Sequence, residues 1–112
     1  PEHAQAARAG GAALYACSMV LSPGGYPAES ALLQGYARTH GMAVLMANYG
    51  APTGGYLCVG RSALWAPGGD LVVAAPGVGA CLVVGRRSEG GGAGAVAGAW
   101  TGAVLPVPGL AP

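Results

Sequence analysis

HGMAVLMANYGAPTGGYLCVGRSALWAPGGDLV, residues 40–72, is the stretch whose reading decides the fold. Residues 42–47 form an almost continuous apolar run, bounded by Gly41 on one side and by Asn48, Gly50 and Pro52 on the other. That pattern suits a strand covered on both faces. Residues 56–65 predict the next strand. A turn at Pro67, Gly68, Gly69 and Asp70 leads into a partner strand at 71–75. The connection is short enough that the pair must be an antiparallel hairpin. A covered strand beside a hairpin implies a layered α/β protein.

Upstream, residues 26–40 predict a helix with Leu32, Leu33, Tyr36 and Ala37 on one face. Pro27 and Glu29 suit its first turn, Arg38 and His40 suit its last, and Gly41 stops it. Residues 12–21 read as a buried strand and 22–25 as a turn. The order strand, helix, strand calls for two parallel neighbours joined by a right-handed crossover. Residues 1–9 read as a first helix, with Glu2 near its positive end, Arg8 near its negative end, and Gly10 and Gly11 ending it. Downstream, residues 80–85 predict a further strand that ends at Arg86 and Arg87. From Ser88 the sequence turns to GGGAGAVAGA and then PVPGLAP, so 88–112 is expected to be a flexible Gly/Pro-rich tail.

Several of these segments, taken in order, carry a family resemblance. A helix ending in YARTHG, a strand VLMAN, then GG, GRSALW and a PGGDLV turn together resemble the C-terminal portion of the carbon-nitrogen hydrolase (nitrilase/amidase) superfamily. The match runs over residues 1–87, and the joint order of its parts is more specific than any one of them. It implies part of a four-layer α-β-β-α sandwich, truncated at the N-terminus. In that family a Cys attacks an amide or nitrile carbon, a Glu acts as base and a Lys stabilises the oxyanion. The family's Cys is closely followed by Pro-Glu, which Pro1 and Glu2 resemble, so the triad is expected to lie upstream of this chain. The first residue is Pro rather than Met, which agrees with a fragment.

The resemblance implies that the parent is a hydrolase of non-peptide carbon-nitrogen bonds, an amidase or nitrilase working without a cofactor, and that this fragment alone is inactive. It also implies a small amide or nitrile substrate and a homo-oligomer formed through the helix Tyr26–His40. By position, Ser18, Met19 and Asn48 become substrate-pocket candidates, while Gly60, Arg61 and Ser62 match a structural triplet. Read from the residues alone, Asn48 could equally cap the Gly50 turn. A rival reading makes the chain a non-catalytic remnant, or a small binding or structural module.

Composition narrows the field. The chain has 112 residues, 53% hydrophobic and 8% charged, with a mean hydropathy of +0.48. That is more apolar surface than a domain of this size buries alone, so a covering chain or partner is expected. Five Arg, no Lys and four acids give no basic face for nucleic acid. Residues 71–85 are uncharged but broken by Pro76, Gly77 and Gly79, and no membrane span is expected. Cys17, Cys58 and Cys81 are odd in number and lack Cys-x-x-Cys spacing, which points to buried thiols in a reducing cytoplasm rather than a metal site. None has a following acid at the family's spacing, so no catalytic residue is assigned within the chain.

Two further motifs fail on context. Gly60-x-Ser62 is half of a nucleophile elbow, but Leu64 replaces the second Gly and both His3 and His40 precede the Ser. Gly92-x-Gly94-x-x-Ala97 follows no predicted strand end and has no later acid, so it is not a dinucleotide fingerprint.

Overall fold

The computed structural model describes residues 1–51, 55, 57–90 and 98–109. Two helices and two sheets make a mixed α/β fold: α1 (Glu2–Ala9), β1 (Leu14–Met19), α2 (Tyr26–His40), β2 (Ala43–Asn48), β3 (Ala63–Trp65), β4 (Leu71–Ala74), β5 (Cys81–Arg87) and β6 (Trp100–Pro106). The first sheet runs β1-β2-β3-β4, with β1 and β2 parallel and the later pairs antiparallel. The second sheet is the antiparallel hairpin β5-β6.

Helix α2 has the predicted bounds. Its stop is Gly41, at φ +63, a left-handed conformation that a residue with a Cβ adopts reluctantly. Leu33 and Ala37 are its buried residues, and they pack with Val44, Met46, Ala63 and Trp65 of the first sheet and with Leu21. Tyr15, Cys17 and Met19 line the same core from β1, two residues apart as strand geometry requires. The core therefore lies between α2 and one face of the first sheet.

The second sheet covers part of the opposite face. It touches β3 and β4, and the meeting point is a pair of glycines. Gly85 and Gly102 stand opposite each other in the β5-β6 ladder. A Cβ on Gly85 would collide with the Leu64 side chain, and one on Gly102 would lie 2.5 Å from the Cβ of Val73. Leu64 and Val73 are themselves cross-strand partners in β3-β4. Two glycines thus form a socket for two side chains.

Three expectations need correction. The strand predicted over 56–65 is only Ala63–Trp65, because Gly60 and Arg61 take left-handed φ values of 67° and 57° that break the extended backbone. Tyr56 and residues 52–54 lie outside the described residues. The tail predicted over 88–112 contains strand β6, paired with β5 along its whole length. Glycine adds ordering entropy but also admits close contact between sheets, and at Gly85 and Gly102 that contact orders the hairpin. Residues 91–97 and 110–112 lie outside the described residues. Finally, the run at 42–47 is covered on both faces only at its start. Met42, Ala43, Val44 and Met46 are fully buried, whereas on the face of Ala43 the strand opens toward its end, with Leu45 half-buried and Ala47 exposed. Leu14, Ala16 and Ser18 of β1 are exposed as well, because the second sheet reaches only the β3-β4 side.

Replacing Gly85 with Val puts a branched side chain where Leu64 sits. The expected result is loss of amide exchange protection across 81–87 and 100–106, with protection retained across 43–48. Hydrogen exchange read by mass spectrometry checks it.

Candidate functional site

The parallel strands β1 and β2 end side by side, with Ser18 opposite Ala47 and Met19 opposite Asn48. Ends of parallel strands are where open α/β sheets place ligands. A cavity of about 300 Å³ lies there, lined by Ser18, Met19, Val20, Ala47, Asn48 and Tyr49. The three pocket candidates therefore meet in one place. They do not present alike: Ser18 is exposed on the open face, while Met19 is half-buried and packs into the core beneath α2.

Asn48 is the buried polar residue of the described chain. Its Oδ1 accepts from the Leu21 N–H at 2.7 Å. Its Nδ2 donates to the Leu21 carbonyl at 3.3 Å and to the Gly60 carbonyl at 2.8 Å. Both amide hydrogens are used, so the side chain fastens the segment after β1 to the segment before β3. It is a clamp across two segments distant in sequence.

The triplet after the loop completes that clamp. Gly60 approaches Gly77 so closely that a Cβ would strike the Gly77 carbonyl. The Arg61 N–H donates to the same carbonyl at 3.3 Å. Ser62 Oγ accepts from the Asn48 N–H at 2.9 Å, and its carbonyl accepts from the Ala75 N–H at 2.8 Å. Each member of the triplet thus ties one loop to a neighbour. A second cavity of about 370 Å³ lies against this network, bordered by Asn48, Arg61, Ser62 and Cys81.

Tyr26 was not singled out by the sequence. Its hydroxyl donates to the Arg61 carbonyl at 2.8 Å, and the Arg61 guanidinium carbon lies 5.8 Å from the ring centroid. Burial pushes the Tyr26 phenol up, and the Arg61 charge opposes that shift. The pair is 35 residues apart, so no local pattern could have announced it.

The described residues hold no assembled nucleophile. Cys17 points into the core, its Sγ 3.6 Å from the Leu45 carbonyl, and burial pushes its thiol up, away from the reactive thiolate. Cys58 is buried and Cys81 half-buried, and all three cysteines are free. Among the described residues no group of three His, Cys, Asp or Glu side chains could hold a metal, and no helix is long and apolar enough to cross a membrane.

Known structures share this fold. An amidase of the nitrilase superfamily from Nesterenkonia is 30% identical over 70% of this chain and 30% of its own, with a TM-score of 0.59. The fold is nitrilase-like. A further structure of the Nesterenkonia amidase, carrying an acetamide moiety on its active-site cysteine, aligns over 95% of this chain and 33% of its own at 23% identity and a TM-score of 0.60. A carbon-nitrogen hydrolase from Helicobacter pylori aligns over 67% and 32%, at 18% identity and a TM-score of 0.58. The chain therefore spans about a third of the length of these nitrilase-like proteins. No protein-family model and no curated protein matches the sequence.

Truncating Asn48 to Ala leaves the Leu21 N–H and the Gly60 carbonyl without their partner, while the Leu21 carbonyl keeps the Val59 N–H. The expected loss in unfolding free energy is about 2–4 kcal/mol, read by urea titration, since each stranded buried group costs about 1–3 kcal/mol. Asn48→Asp, which cannot donate to either carbonyl as a carboxylate, is expected to cost at least as much. For the thiol, Cys17 is expected to react with iodoacetamide at pH 8 more slowly than an unperturbed cysteine, because its raised pKa lowers the thiolate fraction there. Peptide mapping of the alkylated chain reads this directly.

Proposed function

We propose that this chain, strand β6 included, is the C-terminal portion of a carbon-nitrogen hydrolase that cleaves small amides, with nitriles the second substrate class. The observation that carries this reading is the 30% identity to an amidase over 70% of the chain, on a shared fold. Structures of that amidase hold butyramide and acrylamide, which supports a short aliphatic amide as substrate.

The chemistry of the whole protein follows from the family resemblance. A Cys thiolate upstream of this chain attacks the amide carbon, the C–N bond breaks, and ammonia leaves after taking a proton. Water, deprotonated by a Glu, then hydrolyses the thioester to the carboxylic acid and regenerates the thiol. A Lys stabilises the oxyanion in both halves. The chain has no Lys, so this fragment alone cannot assemble the triad.

The present residues shape the wall of that site. Ser18 stands at the rim of the cavity at the strand ends, and Met19 supports it from the core. Asn48 acts by fixing the two segments that frame it. The exposed face formed by Ala16, Ser18 and Ala47 is where the remaining strands of the sandwich would pack. Helix α2, which carries the exposed Leu32, is the proposed contact between subunits of a homo-oligomer. Three free cysteines suit a cytoplasmic protein.

Reading the gene in frame upstream of Pro1 tests this. The expected result is a Lys and a Glu, followed by a Cys with an acid two positions later. The protein including them is expected to release ammonia from butyramide and to lose that activity on Cys→Ala substitution, while the 112-residue chain alone releases none. A stop codon upstream with none of these residues would overturn the hydrolase reading and leave a non-catalytic remnant.

A further inference from the structure

At the other end of the same strands lies a cleft of about 370 Å³ that the hydrolase reading does not use. It is bordered by Arg8 at the end of α1, Leu14 at the start of β1, Pro67 in the hairpin turn, Arg87 at the end of β5 and Trp100 at the start of β6. Ser18 and Asn48 sit at the opposite ends of β1 and β2. The cleft is thus separated from the candidate site by the length of a strand.

Its lining has a definite chemical character. Arg87 and Trp100 are direct cross-strand partners in the β5-β6 ladder, which places their side chains together on one face of the hairpin. Arg8 faces them across the cleft and makes one long hydrogen bond, 3.4 Å to the Ala12 carbonyl. Among the described residues neither guanidinium has a carboxylate within ion-pair distance, and the one ion pair joins the N-terminus to Glu2. Each guanidinium carries five N–H donors, and the described residues use few of them. Leu14 and Pro67 add apolar walls, and the Trp100 indole adds a flat aromatic surface.

The geometry points to a binding site for a small aromatic carboxylate, whose ring lies against Trp100 and Leu14 and whose anionic end is held by Arg8 and Arg87. Two convergent guanidiniums select for the anion because they bind both carboxylate oxygens, and burial of the ring supplies the apolar part of the affinity. A simple phosphate or acetate would engage the arginines but leave the aromatic and aliphatic walls bare. The volume is within the range usual for small-molecule sites, about 300–1,000 Å³. This inference does not depend on the hydrolase reading, since no residue of the cleft belongs to the candidate site.

Benzoate is the probe, titrated into the 112-residue chain by calorimetry and by tryptophan fluorescence. Trp65 is buried in the core, so a fluorescence response reports on Trp100. Saturable binding is expected, at least about tenfold weaker for the neutral isostere benzamide and for the Arg8→Gln, Arg87→Gln double variant, because a charge-assisted bidentate contact is lost in each. Both arginines are exposed, so the double variant is expected to keep the parent melting curve. Trp100→Phe should abolish the fluorescence change while calorimetry still records binding. Absence of saturable heat with benzoate, equal affinity for benzamide, or unchanged affinity in the double variant would overturn the proposal.

Discussion

A single buried amide holds the strand ends in place. Asn48 joins the Leu21 backbone after β1 to the Gly60 carbonyl before β3, using both hydrogens of its side chain. Its own backbone N–H is in turn held by Ser62. A buried amide with all its donors satisfied costs little, whereas truncating it strands the Leu21 N–H and the Gly60 carbonyl. Backbone bonds from Tyr49 to Met19, from Val59 to Leu21 and from Gly60 to Tyr49 join the same segments, and the Asn48 side chain and the close approach of Gly60 to Gly77 add to them.

Around that clamp the molecule is asymmetric. One face of the first sheet is filled by α2, and the core lies there. The other face is only partly covered, by a hairpin resting on β3 and β4. The exposed side chains on β1 are small or apolar, as expected for a surface that packs against more protein. This agrees with the comparison in length: the chain accounts for about a third of the nitrilase-like proteins it resembles. A composition rich in apolar residues and poor in charge already implied a surface needing cover.

Periodic segments were legible in the sequence. Helix α2 announced itself through Pro27, the spacing of Leu33 and Ala37, and the Gly41 stop. Strand β2 and the hairpin turn followed from their glycines and apolar runs. What stayed hidden was non-local. The break at Gly60 and Arg61 looks like ordinary strand sequence, because its cause is Gly77 and Tyr26 far along the chain. Strand β6 was concealed by a glycine-rich context whose meaning depends on Leu64 and Val73 in another sheet. Asn48 could be picked out as the single Asn of the chain, but its role required knowing where Leu21 would lie.

The socket made by Gly85 and Gly102 bears on how the protein can change over evolutionary time. Most packed interfaces between sheets are set by interdigitating side chains, which can drift together as one grows and its neighbour shrinks. Here one partner is bare backbone, which has nothing left to shrink. Compensation must come from the Leu64 and Val73 side, and any residue but glycine at position 85 or 102 must be answered there at once. Two of the 22 glycines in this sequence are thus held by a neighbour's bulk, whatever favours alanine and glycine in the rest of the chain.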